Sequence, residues 1–343
     1  METRALALLL ARMSRTGEII TSPEKANYLK DYLECRTAAK GGRVLQCEDC
    51  GTHVVAYNAC NRRGCPVCSR KNQLSWQIKM RDRLLPTGHH HLVFSFPESF
   101  TEKWTRLPRV TIHELQKGVR KVIGKLERER KLTLGMTLVF QSHCQGLAYK
   151  AHVHCILTSG GLDEEDKWQS VGTLPLGEMT KWLKLALGGI DDEKGWRIHE
   201  SHHQSGGEAI VQYLGQRLNG SVISAKDVNE HEGKVRLISR GNSIELTTGT
   251  FALRYLNHIP QKGTVLVRNC GLYSNRQKKR LATAREQLGG KPTVELEWEE
   301  RCPRCKGILK TIICYQTKAL EFDHERYGFG VDPPAHRECS KVS

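Results

Sequence analysis

The sequence predicts an α+β protein with an N-terminal zinc-ribbon-like segment, a central antiparallel sheet flanked by helices, and a C-terminal zinc-knuckle segment. Three observations predict it. Two Cys-x2-Cys pairs, Cys47/Cys50 and Cys65/Cys68, stand fourteen residues apart; the runs at 135–140 and 151–158 have the composition and alternation of strands; and apolar residues recur at helical spacing over 208–218. These features divide the 343 residues at 1–85, 86–290 and 291–343.

The opening Met-Glu-Thr-Arg-Ala-Leu-Ala-Leu-Leu-Leu-Ala-Arg holds a short apolar run with charges on both sides. That pattern fits an amphipathic helix and is too short for a membrane span. Tyr28, Tyr32 and Leu33 then fall on one helical face. In the cysteine-rich segment each Cys-x2-Cys makes a tight knuckle, and the two knuckles at 47–50 and 65–68 close a tetrahedral zinc site. Cys35 and Cys60 are left over, either as buried small hydrophobes or as alternates in the coordination shell. Arg62, Arg63, Arg70 and Lys71 surround the second knuckle and are candidate DNA contacts, a solvated rim being the alternative.

A helix over 72–85 leads into a strand at 89–97. The three consecutive histidines that open it are not an obvious ligand set, because neighbours on a strand face opposite sides. The helix over 112–132 carries Lys117, Arg120, Lys121, Lys125 and Arg128 at near-helical spacing, a solvated face. After the strand at 135–140, a polar stretch at 145–150 turns the chain back into the strand at 151–158. There His152 and His154 project from one side, about 7 Å apart, while Val153, Cys155 and Leu157 face the other. Gln145 lies close to the pair. Two imidazole nitrogens and an amide oxygen would hold a divalent cation without cancelling its charge. An exposed polar edge is the competing reading.

Downstream, helices are expected over 164–187, 208–218 and 248–256, with a strand at 196–199 and a small strand group at 222–224, 235–238 and 244–246. In the 208–218 helix Ile210, Val211, Leu214 and Leu218 point inward and leave Tyr213 facing the sheet; an aromatic core residue is the alternative role. A further basic helix starts at Arg276. Cys302 and Cys305 form another knuckle. His336 and Cys339 could complete a second zinc site there, with Cys314 and His324 competing.

The formal net charge of +16 points to a polyanionic partner, most simply nucleic acid. Thirteen cysteines, an odd number partly in Cys-x2-Cys pairs, argue for thiolate zinc in a reducing cytosol over a disulfide framework. With no long apolar run, a soluble, cytoplasmic protein without a membrane partner is expected. No GxxxxGK[ST] loop occurs, which excludes an ATP-driven helicase of that type.

The run Gln145-Gly-Leu-Ala-Tyr-Lys-Ala-His152-Val-His154-Cys-Ile-Leu-Thr-Ser-Gly160-Gly161, followed by Tyr213-Leu-Gly-Gln-Arg217, resembles the IS91-type insertion-sequence transposases. These belong to the HUH (His-hydrophobe-His) endonucleases. The cysteine segment upstream, and Phe251-Ala-Leu-Arg-Tyr-Leu-Asn-His-Ile-Pro260 and Arg268-Asn-Cys-Gly-Leu-Tyr-Ser-Asn275 downstream, extend the likeness over about 30–310. The resemblance implies an HUH nuclease domain over 86–290 and structural Zn²⁺. It also implies Mg²⁺ or Mn²⁺ at His152, His154 and Gln145, with Tyr213 as the nucleophile. Such an enzyme cuts single-stranded DNA at element ends, keeps a 5′-phosphotyrosine link and moves the element by a rolling-circle-like route in the bacterial cytoplasm, at the nucleoid when bound.

Three departures stand out. Many relatives carry a second tyrosine where this chain has Arg217, which becomes a DNA-contact candidate; Gly64 replaces a histidine before Cys-Pro-x-Cys; and Ala151 replaces a proline before the His pair. The closest match is the single-tyrosine branch, which must cut two ends sequentially or through a transient dimer. A rolling-circle initiator or relaxase, and a non-enzymatic zinc-dependent nucleic-acid-binding protein, are the rival functions.

Overall fold

The computed structural model describes residues 2–15, 22–143, 147–188, 195–201, 206–218, 223–239, 242–290 and 300–315, and within these not every side chain. Gln145, His324, His336 and Cys339 lie outside the described residues, as does the side chain of Arg217.

In chain order the elements are α1 (Thr3–Arg15), α2 (Pro23–Glu34), β1 (Gly42–Cys47), β2 (His53–Tyr57), α3 (Ser69–Arg83), β3 (His89–Ser95), α4 (Glu98–Arg106) and α5 (Pro108–Arg130). There follow β4 (Thr133–His143), β5 (Tyr149–Leu162), β6 (Trp168–Ser170), α6 (Leu176–Leu187), β7 (Arg197–Glu200) and α7 (Gly206–Leu218). The remainder comprises β8 (Val228–His231), β9 (Lys234–Ser239), β10 (Asn242–Thr247), α8 (Thr248–Asn257), β11 (Val267–Gly271), α9 (Lys278–Gln287) and β12 (Leu309–Tyr315).

The central sheet runs β11-β4-β5-β3-β7, with β6 paired to β5, and every pairing is antiparallel. One face is sealed by α5. Its Ile112, Leu115, Val119, Val122, Ile123 and Leu126 recur at three- and four-residue steps and pack on Leu92, Phe94, Leu138, Val153, Cys155 and Leu157. Each such side chain removed from water stabilises the fold by about 1.5–3 kcal/mol, so this layer fixes the sheet. Pro108 starts α5 at a position that needs no N–H donor, and Lys131 in the left-handed region stops it.

The opposite face is only partly apolar. Val139 and Ile156 receive Met80 of α3 and Ile210, Val211 and Leu214 of α7, and the polar residues of the site share that face. The helices α3 and α7 approach closely at Gly215, where a Cβ would stand 2.3 Å from Cγ of Gln77. Gln77 in turn donates from Nε2 to the Gln212 carbonyl at 2.9 Å, fixing the rotation of α7.

Two smaller sheets complete the chain, β12-β1-β2 and β10-β9-β8. Residues expected in a separate C-terminal segment thus pair with the N-terminal one: β12 lies antiparallel along β1, from Gly42↔Tyr315 to Cys47↔Leu309. A second apolar cluster joins Leu6, Leu10, Tyr28 and Tyr32 of α1 and α2 to Phe251 and Tyr255 of α8.

Two sequence expectations differ from the structure. The helix expected over 164–187 begins only at Leu176. The Asp163 carboxylate accepts from the backbone N–H groups of Glu165 and Lys167, and Asp166 takes a positive φ, so the first part is a turn followed by β6. The described part of 222–224 is not a strand. Instead β8 pairs with β9 through a tight turn in which Glu232 and Gly233 both take positive φ, a type I′-like geometry that Glu-Gly signals weakly.

Replacing Gly215 by leucine should displace Gln77 and lower stability by about 1–3 kcal/mol. Gly177→Ala, at an open helical position with nothing within 4 Å of the added Cβ, should be neutral or stabilising by up to about 1 kcal/mol. Urea unfolding of the two variants checks this, and equal midpoints would contradict the close α3–α7 packing.

Candidate functional site

The register of three adjacent strands assembles the site. Gln141 of β4 is paired to His152 of β5, which is paired to Ser95 of β3; one step along, Val139 is paired to His154 and His154 to Val93. Cross-strand partners share a face. Gln141, His152 and His154 therefore converge: Oε1 of Gln141 lies 3.0 Å from Nε2 of His152 and 2.9 Å from Nε2 of His154.

The hydrogen bonds behind these rings decide which nitrogens face the convergence point. Nδ1 of His152 stands 2.8 Å from the Lys150 carbonyl, which only accepts; with the ring proton on Nδ1, Nε2 presents a lone pair to the convergence point. Nδ1 of His154 is 2.9 Å from Nε2 of His91, a contact that lets His91 accept in the same way. Ligands about 2.1 Å from an octahedral divalent cation sit ~3.0 Å apart along each cis edge. The two measured edges match that spacing, and neutral imidazole and amide donors suit such an ion. Turned over, the Gln141 amide would donate N–H groups to the same two nitrogens, so the trio suits both a free and a cation-loaded site. In the present orientation Nε2 of Gln141 is buried without a hydrogen-bond partner among the described residues.

Tyr213 stands over this set. It lies on α7 between the buried Ile210 and Leu214, half-buried, with its ring centroid 6.1 Å from that of His154 and 5.7 Å from that of His91, both edge-on. The structure thus brings Tyr213, His152 and His154 together as the sequence ordered them. It adds Gln141 and His91, which sequence reasoning missed. His91 was readable: His89 and His91, two apart, must share a face of β3. His89 is diverted, bonded to the Tyr273 hydroxyl at 2.6 Å and the Thr87 carbonyl at 2.9 Å, and burial pushes its pKa down to about 4. His90, on the other face, contacts Glu200 at 2.7 Å. Only His91, 2% exposed, reaches the site.

The cysteines group differently from the expected single ribbon. Cys35, Cys60, Cys65 and Cys68 form one cluster and Cys47, Cys50, Cys302 and Cys305 another, each with all four sulfurs within 4.8 Å of one another. All eight are free thiols. The Cys47–Cys305 and Cys50–Cys302 sulfurs are 3.4 and 3.7 Å apart, and Cys60–Cys68 3.7 Å. Four thiolates about 2.3 Å from a tetrahedral zinc ion have edges of ~3.8 Å, so both clusters suit zinc. Cys35 and Cys60 are therefore placed with the second knuckle. Its former mate is separated from it because β12 carries Cys302 and Cys305 to the end of β1. Backbone N–H groups of Cys60 and Gly307 donate to Cys35 and Cys305, and hydrogen bonds from Thr52 pull the Cys50 thiol down to about 6, the thiolate that a metal requires.

Among the basic candidates, Arg62 is held in the fold: Nε donates to Asp31 at 2.5 Å and its guanidinium lies 5.0 Å above the Tyr28 ring. Arg63 and Arg70 are exposed and Lys71 half-buried on α3. Tyr32 and Tyr255 anchor the second knuckle by donating to the carbonyls of Arg63 and Gly64, at 2.6 and 2.5 Å.

Residues 11–96 match the family described as a transposase zinc-binding domain, and residues 135–181 and 181–280 match the one described as "Putative transposase". The chain is 25% identical over 307 residues to "Putative transposase y4qJ" of Sinorhizobium fredii (strain NBRC 101917 / NGR234), covering 74% of this chain and 76% of that protein. It is 25% identical over 292 residues to "Transposase for insertion sequence element IS801" of Pseudomonas savastanoi pv. phaseolicola, covering 71% and 69%. No solved structure matches the chain.

The regrouped cysteines make a stoichiometric prediction. Elemental analysis should find one zinc per cluster, two per chain. Cys60→Ser and Cys302→Ser should each remove one ion, and the double variant both. A single ion shared by Cys47, Cys50, Cys65 and Cys68 would instead survive both substitutions.

Proposed function

We propose that this chain, which belongs to the IS91-type transposases, cleaves and rejoins single-stranded DNA with Tyr213 as its nucleophile. The observation that carries this reading is the placement of Tyr213 over the convergent Gln141, His152 and His154. Residues 86–290 then form an HUH-type nuclease unit, and the cysteine clusters a zinc-dependent DNA-binding part. Arg63, Arg70 and Lys71 contribute there to backbone contact, with Arg217 one turn beyond Tyr213 on α7.

The phenol oxygen attacks the phosphorus, the bond to the 3′ oxygen breaks, and the chain keeps the 5′ phosphate as a tyrosine ester while the 3′ oxygen leaves as a hydroxyl. The phenol proton is balanced by the one that the leaving oxygen gains. Attack by a 3′ hydroxyl on the tyrosine ester runs the step backwards and joins strands without ATP, because the ester conserves the free energy of the broken bond. A divalent cation, Mg²⁺ or Mn²⁺, held by His152, His154 and Gln141, with Gln145 as a further candidate, would polarise the phosphate oxygens and stabilise charge developing on them. The Lys150 carbonyl and His91 orient the two rings so that each turns a lone pair toward that ion. Packing of α7 on β4 and β5 holds the phenol in place, so that positioning need not be supplied by the substrate.

With Arg217 in the place of a second tyrosine, one chain holds one covalent end at a time. Two element ends are then processed in sequence or by two copies in a transient dimer.

Incubating the protein with single-stranded oligonucleotides and Mn²⁺ should give a covalent adduct that survives denaturing electrophoresis. Tyr213→Phe should abolish it while oligonucleotide affinity stays within a few-fold, since the hydroxyl adds little to backbone attraction. His152→Ala or His154→Ala should reduce the adduct to the level seen with EDTA, and His91→Ala should weaken Mn²⁺ binding by about 10–100-fold. An adduct formed at the normal rate in EDTA would refute the metal assignment.

A further inference from the structure

The face of the sheet that carries the histidines continues past them to the edge strand β7. Trp196 and Ile198 alternate into the apolar layer under α5 and α6, 8% and 6% exposed, so Arg197 and His199 project from the other face. The register places them in the rows of the site: Ser95 is paired on one side to His152 and on the other to Arg197, and Val93 to His154 and to His199. Each row thus runs from a metal-site histidine, across a short side chain, to a nitrogen-bearing residue two strand spacings away, ~10 Å.

We propose that Arg197 and His199 form a binding subsite for a second phosphate of the DNA strand, neighbouring the one that Tyr213 attacks. The assignment rests on the reading that a single strand is cleaved at Tyr213. Five features of the chain support it. Arg197 is exposed, and no carboxylate pairs with it among the described residues. His199 is half-buried, with its Nδ1 enclosed and without a hydrogen-bond partner among the described residues, so the ring meets a ligand through Nε2. Burial, and then the charges of Arg197 and Lys150, lower the His199 pKa, so the ring serves as a neutral hydrogen-bond partner beside two cations and not as a third. Lys150, two residues before His152, extends the same positive edge. Arg197 brings the fork of N–H donors that matches a phosphate.

Local backbone supports the placement. Gly195, at φ +110, leads into β7 with its α-carbon so close to Pro97 that an added Cβ would stand 2.9 Å from the proline Cα. Only glycine brings the chain in that near the end of β3.

A charged residue on an edge strand also deters pairing with other chains, and the test separates that role from a ligand site. Binding of a single-stranded oligonucleotide to the full chain carrying Tyr213→Phe is measured by fluorescence anisotropy, in EDTA, over a series of salt concentrations. Arg197→Ala should weaken binding several-fold and reduce the log–log salt slope by about 0.7, the value of one single-strand phosphate contact; Arg197→Lys should keep the slope. A methylphosphonate placed at one position beside the cleaved bond should weaken the parent but not Arg197→Ala. An unchanged slope and methylphosphonate response, when Arg197→Ala with Tyr213 intact still forms the adduct, would overturn the subsite and leave the cleavage reading standing. A reduced slope, when the chain with Tyr213 intact forms no adduct, would keep the phosphate contact and sink the cleavage reading.

Discussion

The antiparallel register of β4, β5 and β3 is the constraint on which the rest of the site depends. A shift of one residue would turn His152 and His154 into the apolar layer and send Val153 and Cys155 to the face that now carries Gln141. That shift is opposed by the whole α5 interface, where Val153, Cys155 and Leu157 are fully buried. The side chains that hold the sheet and the side chains that form the site are thus alternate residues of the same strands. Stability of one face fixes the geometry of the other, to the point where three donor atoms meet at hydrogen-bond distance without a loop to adjust them.

The cysteine clusters apply a comparable constraint to the chain as a whole. Cys47 and Cys50 meet Cys302 and Cys305 at the end of the β1–β12 pair, so a metal there would fasten two segments far apart in sequence. Linking such distant points restricts the unfolded chain strongly, and metal binding then counts as folding free energy. The other cluster is buttressed by Tyr32 and Tyr255 from α2 and α8. The second knuckle and its basic neighbours are thereby held against helices that also reach the end of β4, where His258, which caps α8, contacts Ser142 and the Leu147 carbonyl.

Local pattern made much of this legible. Alternation of Val153, Cys155 and Leu157 against His152 and His154 identified the strand and its polar face, and the spacing of Ile210, Val211 and Leu214 placed Tyr213 on a helix turned to the sheet. What sequence alone did not give was partnership across distance. Gln145 was the amide that the local reading offered, whereas Gln141 meets both histidines because it sits opposite His152. Each Cys-x2-Cys was readable as a knuckle, but spacing favoured joining the two N-terminal ones, and only the β1–β12 pairing exchanges the partners. Cys35 and Cys60, lacking a companion at x2 spacing, carried no local sign of coordination. Arg197 and His199 were visible as alternating residues of a short strand, yet their place beside the histidines is a property of the sheet order.

The central claim, that Tyr213 is the residue that meets the DNA phosphate, is tested most directly by locating the covalent bond. The tryptic fragment that follows Arg197 and ends at Arg217 contains Tyr213 as its one tyrosine. Tandem mass spectrometry of the nuclease-trimmed, trypsin-digested adduct should find the nucleotide remnant on that fragment and fragment ions that place it on Tyr213. A remnant on a fragment carrying Tyr255, Tyr273 or any other residue would contradict the account.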